Sequence, residues 1–503
     1  MPPRVCILAE TTPFGWVTHY VRAFRRCCDV FTVGPAPSAD DLARWGLSHL
    51  AHLVEPNDVT VDLGELEDLA TVLPGGWAPD LVVAIACNGR PAYLTTQRLE
   101  CPSVFISIDT WQCLVDYEHA RHYDLVFVAQ REFVPAMRAM GARHVTWLPL
   151  AADPEVHCPV EAEADHDLVF VGTANAVAHR ERAALLERLA AEFTCHRECG
   201  AYGEDYRRAF ARGRLAFNRS AMEDLNMRVF EALAMGRCLL TDRQAARNGL
   251  LDCFEDGKHL ITYDGEADLL TKARRYLSDE AARAAIGAAG RAEVLAHHTY
   301  DHRVRAIFDT VAEHAIHTGP RPVHGLLAYL PRIPGVVVDV GLTSRATKHA
   351  LRRLGAKRFV GLAVSGASSV STSRYDAVAP WPGEGLRADT ALVADPAGLP
   401  GSLDDALRQM HALLEDGGAL VLVLSDRVLS ERGLSPDSES LTPWLRARDF
   451  HMLHGTRAEG GAVVVARKRT RRLREILTDF EDRFSAVEGA FEAGALDCVP
   501  EDA

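Results

Sequence analysis

The sequence predicts an α/β protein built from doubly wound, Rossmann-like units. Three observations point that way. Near-continuous apolar runs recur along the chain, as in Val5-Cys-Ile-Leu-Ala9, Asp80-Leu-Val-Val-Ala-Ile85 and Ser103-Val-Phe-Ile-Ser107. Strands apolar on both faces belong in a parallel sheet covered on both sides. Amphipathic segments separate these runs, which is the alternation of a βαβ chain. Finally, 503 residues suit about three domains of roughly 150 residues each.

The elements follow in order. In the first unit, residues 1–155, a helix is predicted over Trp16 to Arg26 and a strand over Asp29-Val-Phe-Thr-Val33. Further strands are Asp124-Leu-Val-Phe-Val128 and His144-Val-Thr-Trp-Leu148. The second unit, residues 156–317, opens with the strand Asp167-Leu-Val-Phe-Val171, which runs into Gly172-Thr-Ala-Asn. It continues with a helix from Ala178 to Phe193 and strands Arg214-Leu-Ala-Phe-Asn218 and Arg237-Cys-Leu-Leu-Thr241. Helices over Asp279 to His298 and Asp301 to His317 close it. Residues 318–335, rich in Pro, Gly and His, read as a linker. The third unit, residues 336–468, carries Val336-Val-Val-Asp339-Val-Gly341, a helix Ala346 to Leu354 and the strand Arg358 to Val364. A helix Leu403 to Leu414 and the strand Ala419 to Leu424 follow. Residues 469–503 hold a last amphipathic helix and tail, with Leu473, Ile476, Phe480, Phe484, Val487 and Phe491 on one face. That face suits packing or a homodimer, which the third unit can also supply.

A formal net charge of −14 argues against bulk nucleic-acid or anionic-membrane binding. No run of eighteen apolar residues is present, so no membrane span is expected. The N-terminus lacks a secretory leader, and the twelve cysteines include no Cys-x-x-Cys. Reduced cytoplasmic thiols are the simplest expectation. Cys195-His-Arg-Glu-Cys199 has no second ligand cluster to complete a zinc site, so no metal is expected.

The most informative stretch is Glu223-Asp-Leu-Asn-Met-Arg-Val-Phe-Glu231, followed by Ala-Leu-Ala-Met-Gly236. It places two carboxylates at the mouth of an apolar helix. A helix start attracts anions because its first N–H groups lack partners inside the helix. Asn226, Met227 and Arg228 flank that start, and a diphosphate fits there. Glu231, one turn in, can accept two hydrogen bonds from a ribose diol. Glu223, in the loop before, can meet a sugar ring. Gly172 and Thr173 form a small-residue loop that lets backbone approach a ligand, and Arg180 and Arg182 can reach a phosphate from the next helix. Such ligands bind beyond the carboxyl ends of the strands. The acceptor side is expected from the first unit: Phe14, Gly15 and Trp16, then Asn88, Asp109 and Trp111. His19 or Asp109 is the candidate base.

Asn226-Met-Arg-Val-Phe-Glu-Ala-Leu-Ala-Met-Gly236 resembles the motif of CgeB-like, group 1 type glycosyltransferases. The resemblance extends to Phe254-Glu-Asp-Gly-Lys258, to His298-Thr-Tyr-Asp-His-Arg303, and upstream to Leu148 through His157. It covers nearly all of residues 1–316. It implies a GT-B fold: two Rossmann-like domains facing a cleft, with the donor held mainly by the second. By that likeness Glu223 contacts the transferred sugar, Glu231 the ribose, and the backbone at Asn226–Arg228 the phosphates. Transfer is expected to retain configuration and need no metal, and no Asp-x-Asp motif stands at a strand end. No cofactor is required beyond the co-substrate, a UDP- or GDP-sugar. The acceptor, a glycan, protein or metabolite, stays open.

The third unit resembles the core of a class I SAM-dependent methyltransferase, through Val338-Asp339-Val-Gly341, Lys357 to Ser365 and Leu414-Glu-Asp-Gly-Gly418. It departs from that family at two contacts. Gly341-Leu-Thr-Ser-Arg345 replaces a Gly-x-Gly, and Ala363 stands where an acidic residue would bind ribose. SAM binding is therefore not expected, and a degenerate module for acceptor recognition or assembly is. Two rival functions remain: a bifunctional glycosyl- and methyltransferase, and a non-catalytic nucleotide-sugar scaffold.

Overall fold

A computed structural model of the chain describes residues 2–13, 15–44, 47–63, 66, 69–86, 101–110, 114–139, 142, 144–173, 180–220, 223–314, 335–342, 351–352, 356–364, 374–394, 396, 399–435, 438–458 and 461–469. The closing helix expected over residues 469–503, nearly all of the linker, and most of the helix Ala346 to Leu354 lie outside them. So do Phe14, Asn88 and Trp111.

The first sheet holds β1 (Arg4–Leu8), β2 (Asp29–Gly34), β3 (Val59–Thr60), β4 (Leu81–Ile85), β5 (Ser103–Ser107), β6 (Leu125–Val128) and β7 (Val145–Trp147). Their order is β3-β2-β1-β4-β5-β6-β7, and every pairing is parallel. β4 and β5 are buried along their whole length, as continuous apolar strands of a two-face-covered sheet must be. The second sheet holds β8 (His166–Val171), β9 (Cys195–Glu198), β10 (Gly213–Asn218), β11 (Leu239–Asp242) and β12 (Ile261–Tyr263), in the order β12-β11-β10-β8-β9. It too is parallel throughout. The two sheets belong to Rossmann-like domains that face each other across a cleft, the GT-B arrangement expected.

One apolar cluster joins these domains, running from Val5, Ile7 and Tyr20 to Val169, Val229 and Ile307. The helix Tyr300–Glu313 returns to the first domain and packs on the helix Trp16–Arg25. Arg303 donates to the carbonyls of Pro149 (2.7 Å) and Leu150 (3.0 Å), and Arg26 pairs with Asp301 at 2.8 Å. The helix Glu280–His297 packs closely on the second sheet's loops. A Cβ at Gly290 would collide with the carbonyl of His259.

The third sheet holds β13 (Gly335–Val340), β14 (Ala356–Ala363), β15 (Ala377–Pro380), β16 (Ala388–Val393), β17 (Leu414–Ser425), β18 (Phe450–Ala458) and β19 (Gly461–Lys468). Its order is β15-β14-β13-β16-β17-β19-β18. β19 is antiparallel to both β17 and β18, so this sheet is mixed rather than purely parallel. The reason is the short link between Ala458 and Gly461, which suits a hairpin and cannot hold the crossover a parallel pair needs. Several elements have sequences too short or too polar to stand out by periodicity: β3, β9, β12 and the helix Gly203–Ala211.

Candidate functional site

The helix Met227–Ala234 sets the site. Asn226 caps its start with extended backbone but no side-chain hydrogen bond, and its first turn carries no acid. The Val229 amide bonds the Asn226 carbonyl at 3.2 Å, and no acidic side chain competes for the amides before it. Gly236, at φ 73°, ends the helix in the left-handed conformation that glycine adopts without a Cβ penalty. The Arg237 amide then bonds the Ala232 carbonyl at 3.0 Å.

This helix start opens into a cavity of about 1120 Å³ between the two domains. From the second domain Gly172, Thr173, Asn226, Met227, Arg228 and Glu231 line it, as expected from the sequence. From the first come Gly15, Trp16, His19 and Asp109. The structure thus gathers ten predicted positions around one space.

Arg228 is half-buried on this wall. Its Nε donates to the Val171 carbonyl at 2.7 Å and its Nη1 to Asn218 Oδ1 at 2.9 Å. Its guanidinium stands 4.7 Å from the Phe170 ring centroid. No carboxylate forms an ion pair with it among the described residues, and burial lowers its pKa. Gly172, at φ 140°, makes room for it, since a Cβ there would collide with Nη2.

Glu231 is buried, with 5% exposure. His157 Nε2 lies 3.2 Å from its Oε1, and the Tyr206 hydroxyl donates to its Oε2. The Asp153 amide donates to His157 Nδ1 at 3.1 Å, so Nδ1 is an acceptor and the ring N–H is on Nε2, facing Glu231. Burial alone would raise the Glu231 pKa, but His157 and Tyr206 bring it below the ordinary value. His19 stacks on Tyr300 and lies 3.6 Å from Asp153, and burial lowers its pKa. His19, His157 and Glu231 offer ligand atoms within 4.8 Å of one another, a spacing that can hold a metal ion. Both Glu231 oxygens, however, are already engaged by His157 and Tyr206.

Three predicted residues sit elsewhere. Arg180 is exposed at the start of the helix Arg180–Ala190 and is off the cavity wall. Arg182 is buried beneath the loop, donating to the carbonyls of Thr173 (2.7 Å) and Arg219 (2.9 Å). Its reach to a phosphate is replaced by a role in fixing the small-residue loop. Glu223 adopts φ 58°, and its carboxylate turns away from the cavity to Arg247. Asn248 holds its carbonyl at 2.9 Å. The neighbouring Asp224 takes the wall position instead.

Sequence reasoning missed Asp224, His157, Tyr206 and Asp153. His157 lay inside a quoted stretch, but only the fold brings it onto Glu231. Cys199, also on the wall, is disulfide-bonded. That corrects the expectation of uniformly reduced thiols. Pairing depends on Cα atoms approaching to within about 7 Å, which spacing in sequence does not reveal. Cys195 is a free thiol.

Tyr375 donates to buried Asp339 at 2.7 Å, and the Leu342 side chain and the Tyr375 ring crowd Gly361. No helix among the described residues is long and apolar enough to cross a membrane.

Residues 161–309 match the family described as "Glycosyl transferase-like". No curated protein matches the chain in sequence. Among solved structures, sucrose-phosphate synthase from Thermosynechococcus elongatus is similar at 13% identity and a TM-score of 0.46, over 62% of this chain and 99% of that one. HepE from Anabaena, solved with UDP and glucose, has 13% identity and a TM-score of 0.46, over 62% of this chain and 100% of its own. A glycosyltransferase from Rickettsia africae gives 8% identity and a TM-score of 0.43, over 62% and 98%.

Proposed function

We propose that the chain is a glycosyltransferase that takes a sugar from a nucleotide-sugar donor, a UDP- or GDP-sugar. The observation that carries this reading is Arg228: a half-buried cation with no carboxylate in ion-pair contact among the described residues, beside an uncapped helix start and a glycine shaped around it. Burying a cation without a close ion pair is costly. A diphosphate offsets that cost and accepts from the helix N–H groups as well. Glu231, ionised and prepositioned by His157, accepts from the two ribose hydroxyls, displacing the Tyr206 hydroxyl. The family match to residues 161–309 supports the same reading.

In this scheme the helix start and Arg228 stabilise the leaving diphosphate, the charge that a metal ion would otherwise balance. Configuration is retained, by likeness to the CgeB-like group. Gly15, Trp16, His19 and Asp109 form the acceptor wall. The third domain serves acceptor recognition or assembly. The Tyr375–Asp339 hydrogen bond and the Leu342 side chain against Gly361 support a module that does not bind SAM.

A thermal-shift panel of UDP, GDP and their sugar conjugates on the full chain tests the donor reading. One nucleotide is expected to raise the melting temperature by several degrees. No shift with any nucleotide overturns it. Titration of SAM into the full chain is expected to give no binding heat. Micromolar binding would restore the bifunctional reading.

A further inference from the structure

Asp224 is 5% exposed, lines the cavity, and leaves its Oδ1 without a hydrogen-bond partner among the described residues. Its other oxygen, Oδ2, faces Gln130 Nε2 of the first domain at 3.5 Å. Gln130 cannot turn freely. Its Oε1 accepts from the Thr110 amide at 3.3 Å, while the single proton of the Thr110 hydroxyl goes to Ser107 Oγ. Thr110 Oγ1 lies 2.8 Å from Ser107 Oγ, and Ser107 donates to Asp116 at 2.6 Å. This chain of hydrogen bonds fixes the amide with its N–H groups toward Asp224. Asp109, next to Thr110, lines the same cavity and is held at φ 54°, an unusual conformation for a residue with a Cβ.

We propose that Asp224, rather than Glu223, meets the transferred sugar, as one half of a carboxyl pair with Asp109 from the opposite domain. The inference rests on the nucleotide-sugar reading above. Two carboxyls facing one cavity across a domain seam do not both ionise readily. Burial pushes Asp109 up to about 6. Burial first, then the Asp109 charge and that of Glu132, push Asp224 well above its ordinary value, against the Gln130 and Leu225 N–H groups. A proton shared by the pair sits on the orphan Oδ1, which makes Asp224 the donor and Asp109 the acceptor. The pair then offers one acceptor and one donor to the hydroxyls of a sugar. Of the other charged groups on the cavity wall, His157, Arg228 and Glu231 belong to the ribose and diphosphate end, and Glu10, His19, Arg22 and His49 line the first-domain side.

The test compares hydrolysis of UDP-glucose and GDP-glucose by full-length wild type, Asp224→Ala, Asp224→Asn and Glu223→Gln, alongside UDP and GDP affinity. Asp224→Ala is expected to lower kcat about 10- to 100-fold with nucleotide affinity nearly kept. Asp224→Asn, which retains a donor, is expected to stay within about tenfold and to lose the alkaline limb of the pH profile. The acid limb near pH 6 should remain. A larger loss in Glu223→Gln than in Asp224→Ala overturns the assignment. An independent arm needs no substrate: the infrared band of a protonated carboxyl at pH 7, expected in wild type and absent in Asp224→Asn. Its absence from wild type overturns the pair even if nucleotides bind. Failure of every nucleotide to bind, with the band present, instead counts against the donor reading and leaves the pair standing.

Discussion

The second and third domains meet a ligand's natural position in opposite ways. At the ends of β8 and β10 stand a glycine, an open helix start and an unpaired guanidinium. At the ends of β13 and β14 stand a Tyr375–Asp339 hydrogen bond and an inserted Leu342 side chain. One presents an uncapped helix start and a cation without an ion pair to a cavity, and the other, among the described residues, pairs its buried Asp339 with Tyr375. Strand order therefore says where a ligand can sit, and the saturation of polar groups at that place says whether one does.

The largest expected effect separates the domains by acid sensitivity. Burial lowers the His298 pKa to about 4, and Arg303 Nη2 lies 3.2 Å from its Nδ1. Burial lowers His19 as well. The unfolded chain binds these protons more readily, so the stability they contribute is full above pH 6.5 and is lost as pH falls toward 4. About 3 kcal/mol is the upper scale for His298, from 1.36 kcal/mol per pKa unit. In the third domain burial would raise Asp404, but Arg448 and Arg432 hold it below its ordinary 3.8. Its contribution is lost only in more acidic solution. Calorimetry from pH 7 to 4 should show the two-domain transition moving down well before the third-domain transition. If both move together, the contrast is broken.

Next in size is Arg228→Ala, expected to weaken nucleotide binding about 100-fold, the scale of one or two charge-assisted contacts. Isothermal titration with UDP and GDP checks it. A loss under threefold would remove the guanidinium from the donor site. Tyr375→Phe strips the buried Asp339 of a donor and should cost the third domain about 1–2 kcal/mol while leaving nucleotide affinity within twofold. Denaturant melts read the first effect and titration the second. The smallest is Glu231→Gln, expected to raise the nucleotide Kd about tenfold. A matching loss for a 2′-deoxy nucleotide on wild type would tie it to the ribose.

Much of this was readable from the chain. The apolar runs at Val5, Leu81 and Val104 gave parallel strands because both faces are buried. Arg228 and Glu231 followed from their distance to a helix start. Glu223 and Asp224 show where reading stopped. They are adjacent, and a single backbone angle, φ 58° at Glu223, decides which carboxyl faces the cavity. Gln130 and His157 act through residues 94 and 74 positions away, Asp224 and Glu231, so only folding joins them. Arg182 carries the right charge for a phosphate but spends it on two carbonyls, which no spacing rule foretells.

The returning helix Tyr300–Glu313 has a mechanical consequence. It starts in the second domain but is riveted to the first through Arg303, Asp301 and the contact of Phe308 with Phe24. The chain therefore departs for the third domain from the first domain's flank. Any hinge that widens the cleft swings the departure point with the acceptor wall.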